Sequence, residues 1–242
     1  MTETFAALLF AHVLADFVLQ TAWMVAQKRK ALAMGAHLAV VLATLIATTG
    51  SLHPVLLIVA LAHLGIDLVK TFALPRGLGS FMADQGAHLL TLVLAAWAVP
   101  GLWTASPFAG LLPQLPALMG LLSGALLATR AGGFAVDLLM APWAEQMRGH
   151  ASQGLTDGGR FIGWLERGMI FLLVLFNQPE GIGFLIAAKS VLRFGTVGDD
   201  RAVSEYVIIG TLASFGWAIA VSFGTVWLMG LLPPLGIPDL SP

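Results

Sequence analysis

Apolar residues run along this chain in long blocks, separated by short polar or Gly/Pro-containing breaks. A membrane crossing takes roughly 20 mostly apolar residues. On that measure the pattern predicts helices at about 5–26, 31–49, 55–74, 81–99, 116–142, 160–177, 182–197 and 204–231. The breaks fall at Gly50 to Pro54, Pro75 to Ser80, Pro100 to Pro107 and Gln178 to Gly181. Two blocks are less apolar than the rest. The fifth holds Arg130, Gly132, Gly133 and Asp137, and the short seventh holds Lys189 and Arg193. The expected fold is an all-α integral membrane protein, a polytopic bundle of about eight transmembrane helices. It reads as one membrane domain over residues 1–242, with a His/Asp-bearing four-helix half at 1–100. The second half, 101–242, carries Glu/Lys/Arg motifs.

Composition supports the membrane assignment. Hydrophobic residues make up 58% of the chain and charged residues 10%, whereas soluble domains carry about 25% charge. A net charge of −1 offers no basic excess for nucleic acid. Cysteine is absent, which removes disulfides and thiolate metal sites from consideration. The first block lacks a basic start and contains His12 and Asp16, features that argue against a cleaved signal peptide. Placing the N-terminus outside puts Lys28, Arg29, Lys30, Lys70, Arg76, Arg148, Arg160 and Arg201 at cytoplasmic ends or loops. Arg130, Arg167, Lys189 and Arg193 lie within blocks, so no outer loop is basic. This distribution predicts a multi-pass protein of a bacterial inner membrane with both termini outside. Trp23, Trp143 and Trp164 then fall near the inner interface, and Trp97, Trp103 and Trp227 near the outer one. The histidines of the first half have no counterparts in the second, which argues against an inverted-repeat transporter.

Three pairs share one spacing: His12/Asp16, His63/Asp67 and Asp84/His88. Residues four apart on a helix are neighbours on one face, so each pair presents an imidazole beside a carboxylate. With six His and eight Asp in the chain, chance gives about 0.4 such pairs at this helical spacing. Asp16, His37, Asp67 and His88 are each expected within roughly 10–15 Å of the inner surface, at 1.5 Å per residue. Ionisable groups at such depth are costly and mark function. Imidazole with carboxylate suits Zn, Fe or Mn. The candidate metal ligands are therefore His12, Asp16, His37, His63, Asp67 and His88, holding one or two ions. Asp84 is a further candidate, either on the metal or orienting a histidine. The alternatives are a metal-free proton or substrate site and simple polar bonding between helices. His53 and His150 read as bystanders.

A second group is cationic. Gln20 extends the His12/Asp16 face by one turn, and Lys70 lies close to one turn beyond Asp67. In the second half stand Arg160, Glu166 and Arg167, followed by Lys189 and Arg193 at i,i+4. Cations at this depth need a counter-charge or an anionic ligand. One reading pairs Glu166 with Lys189 or Arg193. Another has Lys70, Lys189, Arg193, Gln20 and Arg167 binding an anionic substrate, with Asp84 or Glu166 as the base. Arg130 and Asp137 read as an ion pair.

The motif His12-Val-Leu-Ala-Asp16-Phe17-Val-Leu-Gln20 resembles that of a bacterial integral-membrane family of unknown function. The His63/Asp67 helix and the stretch Ala-Ala-Lys189-Ser190-Val-Leu-Arg193-Phe194 are similar too, so the resemblance extends over most of the chain. It implies that the motifs form one site and brings no activity with it. The leading expectation is an intramembrane metal-dependent enzyme, hydrolytic or oxidative. It would act on a lipid or other anionic, membrane-accessible substrate from the cytoplasmic leaflet. The runner-up is a metal-ion or proton-coupled transporter, and the third is a membrane scaffold or partner subunit. A homo-oligomer is compatible with all three.

Overall fold

In a computed structural model, residues 1–147, 155, 157–194 and 201–235 are described. Every regular element among them is helical. They are α1 (Thr2–Leu19), α2 (Ala22–Ala26), α3 (Ala31–Thr49), α4 (Pro54–Phe72), α5 (Leu78–Ala98), α6 (Pro107–Leu111), α7 (Leu115–Met147), α8 (Gly158–Leu175), α9 (Gly181–Phe194) and α10 (Arg201–Met229).

Five of these helices, α1, α3, α4, α7 and α10, are long and apolar enough to cross a membrane. Three of the expected crossings are more polar or shorter. Helix α5 has 21 residues but includes Asp84, Gln85 and His88. Helix α8 has 18 residues with Arg160, Glu166 and Arg167, and α9 has 14 with Lys189 and Arg193. Large apolar side chains such as Leu52, Ile58, Trp97 and Phe184 point outward, as lipid-facing surfaces require.

Local chemistry sets the helix ends. Helix α1 stops at Leu19 rather than near residue 26, because Gln20 turns extended and Thr21 starts a new helix by accepting a hydrogen bond from the Met24 N–H. Gly50 ends α3 in the left-handed region at φ 59°, where a glycine meets no steric penalty. His53 then caps α4, its Nδ1 accepting from the Val55 N–H at 3.2 Å, with Pro54 in the first turn. That capping role fits its expected place outside the site.

The described residues divide into two compact units, one made of 1–123 with 227–235 and the other lying within 124–226. In the first unit α1 packs on α3 and α5, and α4 packs on both of those, closing a ring of four helices. Short connections make successive helices antiparallel. The C-terminal ends of α1 and α4 and the N-terminal ends of α3 and α5 therefore share one end of the ring. At the opposite end the Thr4 hydroxyl donates to the Pro100 carbonyl and accepts from the Trp103 N–H. Trp103, expected in an outer aromatic belt, is instead 2% exposed and packed on Ala7 and Met119. Its indole fills the core beneath the loop that Thr4 holds.

In the second unit α8, α9 and α10 share a core of Ile170, Val174, Ile182, Phe215 and Ala218. Helix α7 opens into a π turn at Leu127–Ala131, which releases backbone carbonyls from the regular ladder. The Leu127 carbonyl accepts from the Trp217 indole at 2.8 Å, and the Thr129 carbonyl from Arg167 Nε at 3.0 Å. Gly132 makes room for this, since a Cβ there would sit 2.6 Å from the Trp217 ring. The expected Arg130–Asp137 pair is not formed. Seven residues span two turns, beyond the i+3 and i+4 reach, and the Arg130 guanidinium lies over the Trp164 ring instead.

Candidate metal centre

Each helix of the four-helix ring contributes to one buried cluster. Helix α1 supplies His12 and Asp16, α3 His37, α4 His63 and Asp67, and α5 Asp84, Gln85 and His88. The spacing of four places each His/Asp pair on its helix's inner face, as the helical repeat dictates. At 1.5 Å per residue, these side chains spring from about 5–15 Å inside their shared end of the ring. Asp16 sits in a π turn, Ala15–Leu19, the kind of local widening that helices adopt to re-aim a side chain.

Four atoms converge at the centre. His37 Nε2 and His63 Nε2 are 3.2 Å apart, and each is 3.3 Å from Asp16 Oδ1. Asp67 Oδ2 lies 3.4 Å from His37 Nε2 and 3.7 Å from His63 Nε2. An ion held tetrahedrally by nitrogen and oxygen at about 2.0–2.1 Å keeps its ligand atoms about 3.3–3.4 Å from one another. The separations among His37, His63 and Asp16, 3.2–3.3 Å, lie near that edge length, and Asp67 Oδ2 stands a little farther from His63 at 3.7 Å. Asp16 Oδ1 and Asp67 Oδ2 are buried and make no hydrogen bond, despite nitrogens so near. The two imidazole nitrogens hydrogen-bond to each other instead.

Beside this set lie His12 and His88, whose rings stack at 4.9 Å, with His88 4.1 Å from the His63 ring. His12 Nε2 faces Gln85 Oε1 at 3.2 Å, and His88 Nδ1 faces the Asp84 carbonyl at 2.9 Å. Both acceptors fix the proton on the outer nitrogen. The inner nitrogens, His12 Nδ1 and His88 Nε2, are buried without a hydrogen-bond partner. Three groups have ligand atoms close enough to share an ion: His12/Asp16/His88, Asp16/His37/His63 and His63/Asp67/His88. Together they contain all six residues expected as ligands.

The surrounding charges hold these ligands in place. Lys28, in the loop before α3, donates to Asp67 Oδ1 at 2.8 Å. Lys70 pairs with Asp84 Oδ2, which also accepts from Gln85 Nε2 at 2.9 Å. That second contact orients the Gln85 amide so that its oxygen meets His12. Asp84 thus braces Lys70, Gln85 and His88, and Lys70 is already matched by a carboxylate. Lys28 and Gln85 were not among the expected site residues. Lys28 reads in the sequence as one of a basic loop triplet, while Gln85 does carry a signal, three residues before His88 on the same helix face.

The remaining expected site residues fall elsewhere. Gln20 follows the π turn in extended conformation, and no hydrogen bond among the described residues ties it to the cluster. Glu166, Arg167 and Lys189 belong to the second unit. Lys189 donates to Glu166 at 2.8 Å and lies over the Phe215 ring. Arg167 is buried and donates to the Thr129 carbonyl and the Ser214 hydroxyl. The side chain of Arg193, and His150, lie outside the described residues.

No curated protein and no solved structure matches this chain. The match to a known family ends at residue 109, so the stretch around Lys189 and Arg193 stands outside it and the resemblance covers less of the chain than the motifs suggest. Residues 4–109, which contain every member of the His/Asp cluster, match the family described as "Protein of unknown function (DUF3307)".

Proposed function

We propose that this chain is an intramembrane metal-dependent enzyme whose four-helix unit holds a divalent transition metal on Asp16, His37, His63 and Asp67. The observation that carries the reading is a pair of imidazole nitrogens 3.2 Å apart with one unbonded oxygen of Asp16 and one of Asp67 each within 3.3–3.7 Å of both, inside an apolar bundle. Leaving such groups unpaired costs about 1–3 kcal/mol each, and a shared cation removes that cost. Two nitrogens with two oxygens suit Zn, Fe or Mn. A bound ion would polarise a carbonyl or phosphoryl oxygen, or activate oxygen chemistry. In this reading eight helices cross a bacterial inner membrane with both termini outside, and the cluster faces the cytoplasmic leaflet. The substrate is a lipid or other membrane-accessible molecule, since the cluster lies inside helices whose outer faces are apolar.

The test uses full-length protein purified in detergent and then placed in vesicles of bacterial lipid. Elemental analysis is expected to find bound transition metal in the wild type and less in His37→Gln. Lipid products, followed by mass spectrometry, are expected from metal-loaded protein and not after chelation. Ion uptake into the vesicles without lipid turnover would favour a transporter. Absence of metal from both proteins would remove the reading.

A further inference from the structure

We propose that the cluster holds a second divalent metal ion, on His12 Nδ1, His88 Nε2 and Asp16 Oδ2, with the Asp16 carboxylate bridging the two ions. This rests on the reading just given and adds to it which ion reacts. Asp16 turns its two oxygens to different partners. Oδ1 faces His37 and His63 at 3.3 Å, while Oδ2 faces His12 Nδ1 at 3.9 Å. One carboxylate therefore belongs to two ligand groups at once.

The tautomers point the same way. Histidines that bind metal commonly donate their other ring N–H to a carbonyl or carboxylate, which leaves the inner nitrogen with a free lone pair. His12 has Gln85 Oε1 on its outer nitrogen, and His88 has the Asp84 carbonyl. Both inner nitrogens are buried, unpartnered and on residues no more than 6% exposed. A hydrogen-bonded His/Asp network built only to join helices would use those nitrogens. Here two rings are held by their far sides with their near sides idle.

The two sites differ in kind. The first offers four protein ligand atoms, with both carboxylate oxygens within 3.3–3.7 Å of the two imidazole nitrogens. The second has three ligands, more widely spread, and so keeps a coordination position for water or substrate. Four protein ligands are the pattern of structural ions and three that of reactive ones. The ion on His12 and His88 is the reactive one, and the ion on His37 and His63 fixes Asp16 for it.

Cobalt(II) titration of the full-length, metal-stripped protein in detergent tests this, with bound metal counted after removal of excess. Wild type is expected to bind about two equivalents, a count that the metal-free alternatives do not share. His12→Gln, which touches only the second site, should keep about one equivalent with intense tetrahedral cobalt absorption. Adding azide should change the wild-type spectrum and leave that of His12→Gln unchanged. One equivalent in wild type, with azide silent, would overturn the second site while the proposed function stands. Zero equivalents would overturn both. If His12→Gln loses helical circular dichroism, the wild-type stoichiometry and its azide response decide alone.

Discussion

Replacing Lys28 with Met separates a metal site from a buried ion pair. Lys28 Nζ is 2.8 Å from Asp67 Oδ1, with side-chain exposures of 20% and 2%. Removing one partner of a fully buried pair costs about 3–5 kcal/mol. Lys28 is partly open to solvent, which discounts the loss to about 2 kcal/mol. That loss applies to the metal-free protein, where the other groups paired with Asp67 among the described residues are the His37 and His63 imidazoles at 3.4 and 3.7 Å. A metal ion on Asp67 Oδ2 supplies the missing counter-charge, so the loaded variant should be nearly as stable as loaded wild type. The thermodynamic cycle then requires the variant to bind metal about 30-fold more tightly, since 1.4 kcal/mol is tenfold. Thermal unfolding in detergent, with chelator and with zinc, measures both legs, and a metal competition titration measures affinity directly. Lys28→Met should lower the midpoint with chelator and widen the zinc-induced rise. Equal losses with and without zinc, or weaker metal binding, would refute the reasoning. Asp67 would then be a structural partner of Lys28 and not a ligand.

Three other outcomes are expected. A reporter fused after Pro242 should signal from outside the cytoplasm, because every loop Lys and Arg then lies inside; a cytoplasmic signal would mean an odd number of crossings. Lys189→Met should destabilise the protein by about 1–2 kcal/mol by leaving Glu166 uncompensated, and adding Glu166→Gln should recover most of it. If lipid turnover is lost in Lys189→Met and absent again in the stable double variant, Lys189 binds substrate and does more than neutralise Glu166. Arg167→Met should cost about 2–4 kcal/mol, because the Thr129 carbonyl and Ser214 both lose their donor inside the second unit; unfolding midpoints within error of wild type would contradict that role.

Much of the candidate centre is legible along the chain itself, for a simple reason. A spacing of four puts His12 with Asp16, His63 with Asp67 and Asp84 with His88 on common helix faces, whatever the helices do next. Charge inside an apolar run is costly enough that these pairs announce a polar interior. Helix existence follows from the same runs, since backbone groups in lipid must bond within their own segment. Lone residues are less legible. His37 has no i+4 partner, and only its depth suggests that it joins the others.

Tertiary packing decided the rest. Which carboxylate faces which imidazole depends on how α1, α3, α4 and α5 close into a ring, and no spacing along one helix encodes that. The π turn that re-aims Asp16, and the one that sends the Thr129 carbonyl to Arg167, are local departures from the 3.6 repeat whose partners lie on other helices. Lys28 reads as one of three loop cations until the chain folds back to place it, and not Arg29 or Lys30, on Asp67. Gln85 gains its place through a rotamer that bonds Asp84 and His12 together. Sequence determined which faces are polar and roughly how deep they lie. The packing of four helices determined which atoms meet, because contact depends on side-chain directions across helices and not on positions along one.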